Sequence, residues 1–264
     1  MSYFTNDGVK IYYEVEGEGP PIVMIHGFTS SLEIWKENNW VEALKDNYQL
    51  ILLDCRGHGK SDKPHEDSYY GQHMADDVIK LMEHLSIEKA NLFGYSMGAY
   101  ISFLLLLTKP DIIVSAILGG FVLTLDDKEI LKDIKYTKQI IEAFKAESID
   151  QVKKPMGRAF RQVAETREND LLALAAVQAG TLKNGLSELR SSPAQLKKVL
   201  KNIKVPVMTV VGSSEILSGD KTLIAQLVPD ACHFQIQGKD HITMQGDDKF
   251  HMVVKAFLDY VNRS

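Results

Sequence analysis

Short apolar runs alternate with amphipathic segments along most of this chain. Runs at 22–25, 50–53 and 206–212 predict strands that are buried on both faces, because a half-exposed strand would show alternating polar positions. Residues 73–85 and 250–261 carry apolar side chains at helical spacing, which predicts amphipathic helices. Strands that alternate with helices in this way predict an α/β fold with a doubly wound, mainly parallel sheet that is covered on both faces.

The middle of the chain has a different pattern. From 126 to 201 apolar residues recur at helical spacing throughout, and no run in this section is typical of a strand. The spacing predicts four helices, with the fourth starting near Leu182 and carrying Leu186 and Leu189 on its apolar face. We therefore expect a separate helical unit inserted into the alternation of strands and helices. The alternative is that these helices simply extend the core.

Composition narrows the functional classes. The 264 residues carry a formal net charge of −5 that is spread along the chain, so no basic surface for nucleic acid or an anionic membrane is expected. The apolar stretch at 99–107 is far too short to span a bilayer, and the first residues lack the features of a signal peptide. Cys55 and Cys232 do not make a disulfide framework. We expect a cytoplasmic protein without membrane insertion, and its oligomeric state, monomer or homodimer, stays open.

The pentapeptide Gly94-Tyr95-Ser96-Met97-Gly98 is the strongest chemical signal in the chain. It follows the short strand-like run at 91–93 and precedes a nearly all-apolar helical segment at 97–107, which is the strand–turn–helix context of a nucleophile elbow. Such a turn forces the serine to a positive φ, and glycines on both sides remove Cβ atoms that would collide across it. We therefore predict that Ser96 is a nucleophile at the carboxyl edge of the sheet.

Three further motifs follow predicted strands in a consistent order. His26-Gly27-Phe28 ends the first buried run, Asp-x-Arg-Gly-x-Gly-x-Ser occupies 54–61 after the second, and Gly238-Lys239-Asp240-His241 lies near the end of the chain. Together with the elbow, these motifs resemble those of the α/β-hydrolase family, in its order and at about its spacing. The resemblance covers nearly the whole chain except the middle section.

The resemblance implies a domain organisation. Residues 1–120 and 204–264 would form the hydrolase core, an eight-stranded, doubly wound sheet with helices on both faces. Residues 121–203 would form a helical cap inserted after the sixth strand, as in many members of the family. Such a cap roofs the active site, so its inner face would set which substrates fit.

The resemblance also implies a catalytic triad. A serine hydroxyl needs a base to take its proton, and the base needs a carboxylate on its far nitrogen. His241, in the family's Gly-x-x-His motif, is the expected base for Ser96. Most relatives have an aspartate at Gly-x-x-Asp after the seventh strand, whereas this chain has Glu215 at that position. Glutamate can do the same work with one more methylene, and the chain order Ser, Glu, His fits the family.

The acid is the triad member for which the sequence leaves alternatives. Glu215 is our prediction, because it occupies the family's position after the seventh strand. Asp220 follows it in the same loop. Asp126 or Asp127 lies just beyond the sixth strand, from which some family members draw their acid.

The remaining site residues are implied by the resemblance as well. The oxyanion of the tetrahedral intermediate would be stabilised by the backbone N–H groups of Phe28 and Met97. Candidates for the lining of the substrate pocket are the side chains of Phe28 and, in the cap, Phe121, Met156 and Phe160. The alternative for each is a purely structural role in the hydrophobic core. The sequence contains no metal-ligand cluster, phosphate loop or dinucleotide fingerprint, so we expect no metal and no other cofactor.

The nucleophile limits the chemistry. Epoxide hydrolases and haloalkane dehalogenases of this family use aspartate at the elbow, so Ser96 argues against both. We predict a serine hydrolase that cleaves a small, largely apolar carboxylic ester or lactone through an acyl-enzyme; thioesterase, C–C hydrolase and perhydrolase chemistry stay open. The hypothesis from another class is a ligand-binding receptor or signalling protein on the same frame, with slow or no turnover, since some capped family members have that role.

Overall fold

The computed structural model describes residues 2–185 and 192–263, whose strands form one sheet. In chain order the strands are β1 (Ser2–Asn6), β2 (Val9–Glu16), β3 (Pro21–Ile25), β4 (Gln49–Leu53), β5 (Ala90–Tyr95), β6 (Ile113–Gly119), β7 (Val207–Gly212) and β8 (Cys232–Ile236). They lie side by side in the order β1-β2-β4-β3-β5-β6-β7-β8. The pairs β1–β2 and β2–β4 are antiparallel, and all other neighbours are parallel. The predicted eight-stranded, mainly parallel sheet is confirmed.

Helices cover both faces of this sheet. In chain order the helices of the described residues are α1 (Glu33–Glu37), α2 (Trp40–Leu44), α3 (Gln72–His84), α4 (Met97–Thr108), α5 (Asp127–Lys145), α6 (Pro155–Thr166), α7 (Leu171–Asn184), α8 (Pro193–Leu200), α9 (Leu223–Leu227) and α10 (Asp248–Val261). α3 and α4 contribute to the hydrophobic cluster on one face, and α2 and α10 contribute to the cluster on the other. The sheet is therefore the middle layer of three.

The inner strands explain why the sequence shows continuous apolar runs. Val23 and Ile25 of β3 belong to the cluster beneath α3 and α4, whereas Ile22 and Met24 belong to the cluster beneath α2 and α10. Successive side chains of a strand point to opposite faces, so a strand covered on both faces must be apolar at every position. All four side chains are fully buried.

The described residues between β6 and β7 form α5, α6, α7 and α8 and contain no strand. The prediction that a fourth helix begins near Leu182 is wrong, because Leu182 lies inside α7. Gly180 does not break this helix; it lets the helix approach the core, since a Cβ at that position would lie 2.3 Å from the carbonyl oxygen of Asp67. Leu186 and Leu189, also predicted in the fourth helix, lie outside the described residues.

The carboxyl ends of the parallel strands bring the sequence motifs together. The loops after β3, β5, β7 and β8 all leave the same edge of the sheet, and each carries one of the motifs found in the sequence. Side chains from distant parts of the chain therefore meet at this edge. Across residues 2–185 and 192–263, no helix combines the length and the apolar character needed to cross a bilayer.

Candidate active site

Ser96 occupies the sharp turn between β5 and α4. Its backbone has φ 54° and ψ −110°, a region that residues other than glycine rarely adopt. Its N–H donates to the carbonyl oxygen of Gly119 at 2.8 Å. The flanking glycine at position 98 is required by close packing, because a Cβ there would lie 1.8 Å from the carbonyl oxygen of Ile25. The turn thus holds the serine hydroxyl at the edge of the sheet in a strained conformation.

His241 lies between Ser96 and Glu215 and faces both. Its Nε2 is 3.0 Å from Ser96 Oγ, and its Nδ1 is 3.0 Å from each carboxylate oxygen of Glu215. The Glu215 side chain is fully buried, whereas 12% of the His241 side chain is exposed. The three residues therefore form a hydrogen-bonded series of hydroxyl, imidazole and carboxylate, whose carboxylate end is buried.

The environment of Glu215 keeps its carboxylate ionised. Burial by itself would raise the pKa of Glu215, but the hydrogen bond and charge of His241 and two backbone N–H groups outweigh burial and lower that pKa. The two N–H groups belong to Ile216 and Leu217 and donate to Oε1 at 2.8 and 3.1 Å. The carboxylate is thus available to stabilise a positive charge on the imidazole.

Backbone packing fixes the position of the Glu215 loop. The N–H of Ser214 donates to the carbonyl oxygen of Lys239 at 2.9 Å, which joins this loop to the one that carries His241. Gly212 allows the close contact, because a Cβ at that position would lie 2.2 Å from the same carbonyl oxygen. The separation between acid and base is therefore set by main-chain contacts.

The other candidate acids are engaged elsewhere. Asp220 accepts hydrogen bonds from the backbone N–H and the hydroxyl of Thr222, both at 2.8 Å. Asp126 caps the start of α5 by accepting from two backbone N–H groups, and Asp127 is an exposed residue of the first turn of that helix. Of the candidate acids, the structure brings Glu215 to His241.

The loop after β3, residues 26–30, passes directly beside Ser96; we call it the oxyanion loop, after the role that its motif predicts. A Cβ on Gly27 would lie 3.5 Å from Ser96 Cβ, and Phe28 is the next residue of the loop. Met97 is the first residue of α4, where the N–H has no partner within the helix and the helix dipole favours a negative charge. Within the described residues, the N–H groups of Phe28 and Met97 donate to no acceptor. Both are therefore free to bind an oxyanion.

His26 holds this loop through hydrogen bonds of both its ring nitrogens. Its Nδ1 donates to the carbonyl oxygen of Gly27 at 2.8 Å, and its Nε2 accepts from the N–H of Cys55 at 3.0 Å. Because both nitrogens are used in this way, the ring is neutral, and burial lowers the pKa of His26 accordingly. The histidine joins the loop after β3 to the loop after β4.

A buried ion pair anchors the loop after β4. Arg56 donates through Nε and Nη2 to the two carboxylate oxygens of Asp77 in α3, at 2.6 and 2.5 Å. Its Nη1 donates to the carbonyl oxygen of Tyr69 at 2.6 Å, and Asn6 of β1 donates to Asp77 at 2.8 Å. Since both charged groups are almost fully buried, the charge of each one offsets the cost of removing the other from water.

Three of the four candidate pocket residues lie in one apolar cluster. The Phe28 ring is 6.0 Å from the Phe160 ring and 5.9 Å from the Phe144 ring, and Met156 packs in the same cluster. Phe121 lies elsewhere, with its ring 5.3 Å from that of Phe103 in the core beneath α4. The first three therefore connect the helices of the middle section with the oxyanion loop.

Sequence reasoning missed the role of Tyr95. Its hydroxyl donates to the carbonyl oxygen of His241 at 2.6 Å, and the two rings are 5.6 Å apart. Burial, with the charge of Glu215, raises the pKa of Tyr95, so the hydroxyl keeps its proton. Tyr95 is the second residue of the elbow pentapeptide, but the motif does not indicate where its side chain points.

Comparisons with known proteins identify relatives. The family model described as alpha/beta hydrolase fold matches residues 20–242. The AB hydrolase superfamily protein YisY of Bacillus subtilis is 31% identical over 225 residues, which are 80% of each chain. Uncharacterized hydrolase YugF of the same species is 38% identical over 117 residues, which are 44% of this chain and 42% of that protein.

A solved structure shows the same fold. The enol-lactonase from Burkholderia xenovorans LB400 superposes with a TM-score of 0.75 over 98% of this chain and 100% of the enol-lactonase, at 22% sequence identity. The chain spans about two fifths of the length of some curated relatives, YugF among them. The family model nevertheless matches most of the chain, and YisY matches four fifths of it. The chain therefore belongs to the alpha/beta hydrolase fold family.

Proposed function

We propose that this chain is a serine hydrolase that cleaves small, largely apolar carboxylic esters or lactones through an acyl-enzyme intermediate. The observation that most directly supports this proposal is the hydrogen-bonded series of Ser96, His241 and Glu215, with separations of 3.0 Å at each link. Family membership supports a hydrolase. A serine at the elbow favours acyl transfer, because its oxygen forms an ester with the acyl group of the substrate.

In the first half of the proposed reaction, His241 Nε2 takes the proton of Ser96 Oγ as this oxygen attacks the substrate carbonyl carbon. The π electrons of the carbonyl move to its oxygen, and the N–H groups of Phe28 and Met97 stabilise the negative charge. The Glu215 carboxylate stabilises the imidazolium. When the intermediate collapses, the C–O bond to the leaving alcohol breaks and Nε2 donates its proton to that oxygen.

In the second half, water repeats these steps on the acyl-enzyme. His241 Nε2 takes a proton from the water as its oxygen attacks the acyl carbon, and the same two N–H groups stabilise the second oxyanion. The bond from the acyl carbon to Ser96 Oγ then breaks, and Nε2 returns the proton to the serine. The products are a carboxylic acid and free enzyme; for a lactone, acid and alcohol stay in one molecule.

The apolar surroundings of the oxyanion loop support a largely apolar substrate. Phe28, Met156 and Phe160 share one cluster with Phe144, so an acyl or alcohol group next to this loop meets rings and a thioether. Because one structural relative is an enol-lactonase, lactones are a reasonable part of the test panel.

We also propose that residues 121–203 act as a cap over a core made of residues 1–120 and 204–264. Two contacts support this division. Phe144 of α5 and Phe160 of α6 pack on the Phe28 side chain, beside the nucleophile. The residues of this section that contact the loop would then control which substrates reach Ser96.

The test is steady-state hydrolysis of aryl esters from acetate to octanoate and of a small enol lactone, with Ser96→Ala as the matched blank. We expect turnover above about 1 s⁻¹ on at least one substrate, within the usual range for enzymes, and its loss in Ser96→Ala with unchanged thermal unfolding. Turnover that survives Ser96→Ala would exclude Ser96 as the nucleophile. A folded wild type that binds these ligands without releasing product would instead favour the receptor hypothesis.

A further inference from the structure

Thr29, the residue after the proposed oxyanion donor Phe28, has an unusual backbone. Its φ is 62°, and it is buried, with 5% of its surface exposed. A β-branched residue is a clear outlier in the left-handed region, because its side chain crowds the backbone there. Such a conformation persists only where neighbouring groups hold it. The contacts of Thr29 therefore indicate what maintains the shape of the oxyanion loop.

Contacts within the loop account for part of this support. The Thr29 hydroxyl donates to the carbonyl oxygen of Phe28 at 2.6 Å, and the N–H of Ser30 donates to the carbonyl oxygen of Gly27 at 3.3 Å. These bonds join residues one and three positions apart. They favour a turn, but they do not fix the loop relative to the rest of the molecule.

A further hydrogen bond to this loop comes from 140 residues further along the chain. Asn169 donates through Nδ2 to the carbonyl oxygen of Thr29 at 3.2 Å. The backbone N–H of Asn169 donates to the carbonyl oxygen of Ala164, in the last turn of α6, at 2.9 Å. This bond fixes the backbone from which the Asn169 side chain extends. An amide N–H can hold this carbonyl oxygen only while the connector between α6 and α7 rests on the loop.

Two neighbouring contacts keep this connector, residues 167–170, on the core. Arg167 donates through Nη1 to the hydroxyl of Ser30 at 3.3 Å. Asp170 lies 3.0 Å from His65 Nε2 and also caps the start of α7. The connector thus touches the core on both sides of Asn169, and Asn169 is the residue that bonds to the strained backbone.

We propose that Asn169 is a positioning residue that holds Thr29 in its left-handed conformation and thereby aims the Phe28 N–H at the oxyanion. This inference rests on the proposed function, since it assigns a positioning role at the same site. It follows that the oxyanion hole is complete only when the connector is docked.

The experiment measures the rate at which a fluorophosphonate labels Ser96, followed by mass spectrometry of the intact protein. In this step the bond from Ser96 Oγ to phosphorus forms, the P–F bond breaks, fluoride leaves with the electron pair, and the serine proton passes to His241 Nε2. The phosphoryl oxygen takes the place of the oxyanion, so the rate reports the oxyanion hole without knowledge of the natural substrate.

Four variants are compared with the wild type. Asn169→Ala removes the donor, and Asn169→Asp keeps the size of the side chain but offers an acceptor instead. Gln151→Ala is the matched control, because that amide donates to Glu147 at 3.3 Å within the middle section. Asn169→Ala combined with Thr29→Gly tests the mechanism, since glycine adopts a positive φ without outside support.

We expect labelling to slow by about ten- to a hundredfold in both single Asn169 variants, the size of effect caused by a misplaced catalytic group. The Asn169 variants should unfold only slightly below the wild-type midpoint, as expected for one lost hydrogen bond. Gln151→Ala should label at the wild-type rate, and adding Thr29→Gly to Asn169→Ala should restore most of the lost rate. Equal labelling of wild type and Asn169→Ala, or no recovery in the double variant, would overturn this inference alone. A wild type that does not label at Ser96 would overturn the proposed function and this inference with it.

Discussion

Replacing Glu215 by glutamine is the sharpest test of the triad acid. Glutamine keeps the shape of the side chain, and its amide oxygen can still accept from the N–H groups of Ile216 and Leu217. It loses the charge, however, and its NH₂ group can point at His241 Nδ1, which would place the imidazole proton on Nε2. That tautomer cannot accept the proton of Ser96.

The magnitude follows from the geometry of the pair. His241 Nδ1 lies 3.0 Å from both carboxylate oxygens, and the Glu215 side chain is fully buried. An imidazolium about 4 Å from a carboxylate charge gains about 4 kcal/mol at an effective dielectric constant of about 20. Since about 1.4 kcal/mol corresponds to a tenfold change in rate, the charge alone accounts for about a thousandfold. The wrong tautomer brings the expected loss in kcat to between about 10³ and 10⁴.

The assay is kcat for the best ester of the panel, measured for Glu215→Gln, Glu215→Asp and Asp220→Asn. Glu215→Asp keeps the charge but withdraws the carboxylate by one C–C bond, and the packed loop around Gly212 prevents the backbone from following. We therefore expect an intermediate loss for this variant and little loss for Asp220→Asn. A Glu215→Gln enzyme within about tenfold of the wild type, combined with an inactive Asp220→Asn, would refute the assignment of the acid.

Three further predictions concern stability and positioning. Arg56→Met leaves the buried Asp77 without its partner, so the free energy of unfolding in urea should fall by about 3–5 kcal/mol, and adding Asp77→Leu should recover most of it. Tyr95→Phe removes the donor to the His241 carbonyl oxygen. It should lower the free energy of unfolding by about 1 kcal/mol and kcat by a few-fold; an unchanged thermal midpoint would contradict this. Because the pKa of Glu215 is lowered from its ordinary value of 4.5, its ionisation stabilises the fold above that pH. The advantage of wild type over Glu215→Gln in free energy of unfolding should therefore be constant above about pH 5.5 and disappear as the pH falls through the lowered pKa.

Much of the fold could be predicted because its signals are local. A strand covered on both faces must be apolar at each position, so the run at 22–25 is readable without any knowledge of its neighbours. The elbow is readable for a similar reason, since the close approach of Gly98 to the backbone of β3 allows no side chain there. The end of α7 was harder to predict, because the apolar spacing that begins at Leu182 is equally typical of a new helix. The close approach of Gly180 to Asp67 is visible only in the structure.

The proposed triad acid shows the limit of such reasoning. Glu215, Asp220 and the pair Asp126 and Asp127 all follow strands that end at the same edge, so the sequence supplies four carboxylates at a suitable place. The choice depends on loop geometry, above all on the contact of Gly212 with Lys239, which brings one carboxylate to His241 and leaves the others to their own turns and helix caps.

The sequence by itself determined the parts that depend on neighbouring residues: the buried strands, the amphipathic helices and the strained turn at Ser96. Only the tertiary structure decided the contacts between residues far apart in the chain. The bonds from Asn169 to Thr29 and from Tyr95 to His241 join residues 140 and 146 positions apart. Both depend on the direction in which a side chain leaves a loop, and that direction is set by the packing of the whole molecule rather than by any local pattern.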